Sequence, residues 1–127
     1  MRKITVVKQF KFEAAHRLPD YNGPCSRLHG HTYKLEVGFN NRIDTQTGMV
    51  IDFSKIKEMI KTHIVDVLDH TYMNYCTDVP DFPYLLPTAE NMVEWMVNLL
   101  SDNVQFPAEL VFVRLWETDT SYAEWRL

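Results

Sequence analysis

The chain has 127 residues, with thirteen Lys and Arg against seventeen Asp and Glu, a net charge of −4 and an apolar fraction of 46%. That is one domain over residues 1–127, long enough for a modest core. It carries no basic footprint for nucleic acid and no apolar run near the roughly 18 residues of a membrane span. Met1 to Phe10 alternates charged and apolar residues without a leader-like block. Two cysteines, Cys25 and Cys76, are too few for a disulfide framework, so a cytoplasmic chain with reduced thiols is expected.

In chain order, Ile4 to Phe12 predicts a strand. Leu18 to Leu28 carries Pro19, Asn22, Gly23 and Pro24 and predicts a loop. Thr32 to Asn40 alternates, with Tyr33, Leu35, Val37 and Phe39 on one face. Asn40 to Gly48 supplies a turn. Asp52 predicts an N-cap, and Phe53, Ile56, Ile60, Ile64 and Val67 follow at helical spacing, ending near Asp69–His70. Asn74 to Leu86 predicts a long loop. Thr88 is a second N-cap, before Met92, Trp95, Met96, Leu99 and Leu100. Leu110 to Thr118 and Tyr122 to Trp125 predict two strands joined through Asp119–Ser121. The order β, β, α, α, β, β points to an α+β domain, an antiparallel four-stranded sheet with two helices on one face. Its polar far face suggests a homo-oligomer.

Three of the five histidines form a candidate metal site. His29 and His31 stand at i and i+2 at the mouth of the second strand, so both rings can face one ion. His16 follows the first strand and reaches them if the two strands pair. Three imidazoles without a fourth protein ligand are the donor set of a catalytic Zn²⁺. The plainer reading of H-G-H is a turn with two exposed histidines, and spacing alone leaves both open. His63, on the flank of the first helix, reads as surface or core edge.

Cys25, separated from His29 by three residues, reads as a fourth ligand, a catalytic base or an inert loop residue; zinc and imidazoles nearby would raise its thiolate fraction. Asp69–His70 is a carboxylate–imidazole pair of the kind that relays protons, or a helix-end charge pair. Glu117 shares a side with Val111, Val113 and Leu115. It is either drawn inward, where a ligand could supply its donors, or it ends the strand in solvent.

These segments together resemble the 6-pyruvoyl-tetrahydropterin synthase family, and within it the 6-carboxy-tetrahydropterin synthase branch. The matching stretches are F12-E13-A14-A15-H16-R17-L18-P19, C25-S26-R27-L28-H29-G30-H31, T47-G48-M49-V50-I51-D52-F53, L68-D69-H70, P87-T88-A89-E90-N91 and E117-T118. They run in family order over nearly the whole chain. The resemblance implies a tunnelling fold, in which sheets from several subunits close into a barrel with helices outside, usually as a hexamer. It implies zinc on His16, His29 and His31, a catalytic thiol at Cys25, and a proton relay at Asp69 and His70. It implies a pterin anchor at Glu117 helped by Thr88, in active sites at subunit interfaces. Arg17 and Arg27, flanking the metal motif, are the candidate cations for a substrate triphosphate.

The C-x3-H-G-H spacing matches the carboxy branch, whereas the pyruvoyl branch has a longer insertion there. E117-T118-D119 and the loop from Thr77 to Leu86 are similar to the pyruvoyl branch too. The implied reaction converts 7,8-dihydroneopterin triphosphate to 6-carboxy-tetrahydropterin and acetaldehyde. The competing readings are elimination of triphosphate without carbon–carbon cleavage, and a non-catalytic pterin- or metal-binding module.

Overall fold

The computed structural model describes residues 2–19, 21–103 and 106–127. Two 14-residue strands, β1 (Lys3–His16) and β2 (His29–Arg42), form its spine. They pair antiparallel over their full length, from Lys3 opposite Arg42 to His16 opposite His29. Both strands therefore run further than the apolar alternation predicts, and the extension carries all three histidines into the sheet. β4 (Glu109–Thr118) pairs with β2, and β5 (Ser121–Arg126) closes a hairpin with β4.

With β3 (Thr71–Tyr72) the sheet has five strands in the order β3-β1-β2-β4-β5, which corrects the four-stranded antiparallel expectation. The added strand, β3, runs parallel to β1 beside Ala14 and Ala15. The sheet is thus mixed. A two-residue strand is too short to show a period of two, so no sequence pattern announces it.

The helices cover one face. α1 (Phe53–Ile60) starts at Asp52, whose side chain accepts the Ser54 N–H at 2.8 Å, as a cap should. It continues through a π-helical stretch, Lys61–Val65, into the short α2 (Asp66–Leu68). α3 (Ala89–Asn103) is capped by Thr88, whose hydroxyl accepts the Asn91 N–H at 3.1 Å. The start of the expected loop at Asn74 is drawn into a 3-10 turn, Met73–Tyr75.

The core lies between helices and sheet. Phe12, Tyr33, Leu35 and Phe39 from the sheet meet Ile56, Ile60, Ile64, Met92 and Met96 from the helices, all fully or nearly fully buried. Burial of each such side chain is worth about 1.5–3 kcal/mol. On the opposite face, Phe112 lies over Gly38, where a Cβ would stand 2.3 Å from the ring. That close approach is why the position lacks a side chain.

Candidate metal centre

The metal-end face of β1 and β2 continues the core face. His16 is in phase with Phe10, Phe12 and Ala14 on β1, and His29 and His31 are in phase with Tyr33 on β2. The register sets His16 directly opposite His29. Their ligating nitrogens, with that of His31, all lie within 4.8 Å of one another.

Backbone carbonyls fix the tautomers. His16 Nδ1 lies 2.8 Å from the Pro87 carbonyl oxygen, and His29 Nδ1 lies 2.7 Å from that of Arg27. A carbonyl only accepts, so both Nδ1 atoms carry a hydrogen, and in the metal-ligating neutral form both Nε2 atoms present lone pairs. Those two Nε2 atoms face each other at 3.1 Å. His31 Nε2 is buried with no hydrogen-bond partner. Two opposed lone pairs and an orphaned buried nitrogen are unfavourable without a cation between them. Tetrahedral zinc at about 2.0–2.1 Å from each nitrogen would hold them roughly 3.3 Å apart, so the donor set fits that ion.

Burial holds the His16 and His31 imidazoles below their ordinary pKa, although the Glu117 carboxylate pulls both the other way. Neutral rings are the ligating form. Tyr33, beneath the cluster, has its phenol pushed far up by burial and stays protonated.

Glu117 is the extra residue of a bulge, because the β4–β5 register slips between Trp116 and Thr118. On the inward side shared with Val113 and Leu115, its carboxylate lies 3.5 Å from His16 Nε2 and 3.8 Å from His31 Nε2. Of the two readings of Glu117, the structure has the inward one, with the side chain 31% exposed. It also lines a 510 Å³ cavity with Ala89, Glu90, Tyr122 and Trp125, between the first turn of α3 and the β4–β5 hairpin. Thr88 lies just before that turn, its hydroxyl engaged in the cap.

Asp69 and His70 sit on the other side of β1. Asp69 accepts the Glu13 N–H at 2.9 Å, and this bond holds its carboxyl below the usual range. His70 adopts a left-handed backbone, φ 60, a conformation that His tolerates better than most residues. Its Nδ1 lies 3.0 Å from Asp69 and its Nε2 3.8 Å from Glu13. His70 and His31 line one open depression of 510 Å³.

Cys25 is half-buried in a 3-10 turn, Pro24–Ser26, and its carbonyl accepts the Leu18 N–H. Its thiol is not part of the imidazole group. Arg17 is tied into the same loop, donating from Nε to the Ser26 carbonyl at 2.8 Å. Arg27 is exposed, and its carbonyl is what orients His29. The carbonyls of Pro87 and Arg27 and the carboxylate of Glu13 are site components that residue types alone do not reveal.

A family model described as 6-pyruvoyl tetrahydropterin synthase matches residues 5–127. The chain is 36% identical to a 6-carboxy-5,6,7,8-tetrahydropterin synthase of Synechocystis, over 94% of this chain and 91% of that one. It is 32% identical to the protein of the same name from Haemophilus influenzae, over 95% and 97%. It is also 34% identical to the 6-pyruvoyl tetrahydrobiopterin synthase of Pongo abelii, over 91% and 86%. Among solved structures, the 6-pyruvoyl tetrahydropterin synthase of Caenorhabditis elegans matches with a TM-score of 0.86 at 27% identity, covering 100% of this chain and 97% of that one.

Proposed function

Because the chain belongs to the 6-pyruvoyl tetrahydropterin synthase family, we propose that it is a zinc-dependent lyase acting on 7,8-dihydroneopterin triphosphate. The products are 6-carboxy-5,6,7,8-tetrahydropterin, acetaldehyde and triphosphate, with one water consumed, in a route toward 7-deazaguanine and queuosine. The observation that carries this reading is the convergence of three Nε2 atoms, one of them buried and unpartnered. His16, His29 and His31 would hold the ion, and zinc supplies Lewis acidity that acidifies C–H and O–H bonds of a bound side chain.

The chain's own groups divide the remaining work. Cys25 is the proton carrier, as the thiolate that takes a side-chain proton and returns it at a neighbouring carbon. His70 is its complementary acid or base at Nε2. Asp69 orients that ring through the 3.0 Å contact at Nδ1. Glu117 accepts two parallel hydrogen bonds from the ring N–H and amino group of the pterin, in the geometry of a carboxylate–guanidinium fork. The 510 Å³ cavity beside it has room for a bicyclic ring, and Thr88 directly precedes Ala89 of its lining in the chain.

The C-x3-H-G-H spacing of Cys25 and His29 supports carbon–carbon cleavage. The second reading, a pyruvoyl synthase that keeps the carbon chain intact, is favoured by relatives of that name at similar identity. No helix of the described residues is long and apolar enough to cross a membrane, and we place the enzyme in the cytoplasm as a homohexamer. Incubation with dihydroneopterin triphosphate tests the reaction. Acetaldehyde and 6-carboxy-tetrahydropterin in equal amounts are expected. Accumulation of 6-pyruvoyl-tetrahydropterin without acetaldehyde would assign the second reading, and no consumption of the substrate would remove both.

A further inference from the structure

On the helix-free face of the sheet, one cross-strand row is electrostatically complete. Gln9 donates to Glu36 at 2.6 Å, and Arg114 bridges Glu36 at 3.2 Å and Glu124 at 2.6 Å. The next row toward the metal end is not. There Lys11 stands directly opposite Lys34, and among the described residues neither ammonium forms an ion pair. Like charges directly opposed across paired strands are destabilising. Lys34 is held in place over the Trp116 ring, 4.7 Å from its centre.

The two lysines line a 190 Å³ pocket with Thr32, Trp116, Thr118 and Asp119. Thr32 also lines the depression that carries His31 and His70, so the two recesses meet at one side chain. Thr32 and Lys34 lie on one face of β2, about 6.6 Å apart along the strand, a span that a chain of phosphates can bridge. Two ammonium groups match the charge-assisted hydrogen bonding that a polyphosphate requires.

We propose that Lys11 and Lys34 bind the triphosphate chain of the substrate, which reaches them past Thr32 from the metal end. The identity of that ligand rests on the pterin-triphosphate reading above; the polyanion chemistry rests on the lysine pair. Asp119 is the opposing charge in the pocket and weakens the site. Glu13 accepts the Thr32 hydroxyl at 3.2 Å, which leaves the anion to the lysines.

Calorimetric titration of the purified full chain with inorganic triphosphate tests this. Lys11→Gln/Lys34→Gln should lower affinity at least about tenfold, the worth of one charged hydrogen bond, and Asp119→Asn should raise it. Lys55→Gln/Lys57→Gln, the same charge change on α1, should leave affinity unaltered. The melting temperature of the Lys11/Lys34 variant should hold or rise, since the opposed charges are gone. Equal affinity in that variant, an equal loss in the α1 control, or loss only in Arg27→Gln overturns the proposal. A protein that turns over no pterin triphosphate, yet loses triphosphate binding only with Lys11 and Lys34, keeps the subsite and discards the reaction.

Discussion

A neutral imidazole whose Nδ1–H is tied to a carbonyl has one lone pair left to give. His16 and His29 each have Nδ1 tied to such a carbonyl, and His31 adds a buried nitrogen with no partner. His31→Ala removes one donor of three and should strip most of the zinc, as should His29→Ala. Elemental analysis of purified protein checks this, with about one ion per wild-type chain expected for a single three-histidine centre. Full zinc in the His29→Ala/His31→Ala double variant would remove the assignment.

The same burial predicts a pH dependence. Desolvation holds His16 and His31 below the 6.5 of a free imidazole in the folded chain, whereas the unfolded chain titrates near that value. As pH falls through it, the unfolded state binds more protons than the folded state, so the stability of the metal-free protein drops and flattens only below the folded pKa values. Guanidinium unfolding of chelator-treated protein should show a lower midpoint at about pH 5.5 than at about pH 7.5. A midpoint that does not move would contradict the buried, neutral rings.

At the scale of elements, the strands and helices announce themselves unevenly. Tyr33 to Phe39 alternates strongly enough to predict β2, and the apolar spacing of Phe53, Ile56, Ile60 and Ile64 predicts a helix that tolerates the wide Lys61–Val65 turn. The end of β1 is not legible, because Glu13-Ala14-Ala15 carries no contrast between faces; the register with β2 extends it to His16. The three histidines of the site are visible as residue types. Their carbonyl partners and the Lys11–Lys34 opposition are not, since both depend on which backbone lies beside which. Gly38 is a further case, needed only because Phe112 covers it. Gly38→Ala would place a Cβ within 2.3 Å of that ring, and overpacking of this kind costs about 1–3 kcal/mol. Chemical denaturation should show that loss, with partial recovery when Phe112→Leu is added. An unchanged midpoint would mean that the ring swings aside freely.

At the scale of the whole molecule, the chain holds its chemistry in separate places. The His16, His29 and His31 nitrogens gather beneath the helices, Cys25 sits in the loop after β1, and Asp69 and His70 sit at the β3 edge. His70 is 74% exposed, and its ring nitrogens are engaged by Asp69 and Glu13 and not by the Cys25 thiol. Among the described residues the sheet also keeps open edges, since β3 covers β1 only at Ala14 and Ala15 and β5 has no outer neighbour. Open edges of one sheet can pair head to tail between copies and close a ring without exposed edges. If such a ring sets the His70 of one copy beside the Cys25 of another, the relay is built across their boundary. The expected consequence is complementation. Cys25→Ala and His70→Ala should each keep zinc and lose turnover. Subunits of the two variants, unfolded together and reassembled in equal amounts, should regain activity at about a quarter of the sites, where random pairing joins an intact Cys25 to an intact His70. Turnover of dihydroneopterin triphosphate by the mixed and unmixed proteins is the measurement. Recovery would place the relay across a subunit boundary; inactivity of the mixture, with mixed oligomers verified by mass, would confine it to one chain.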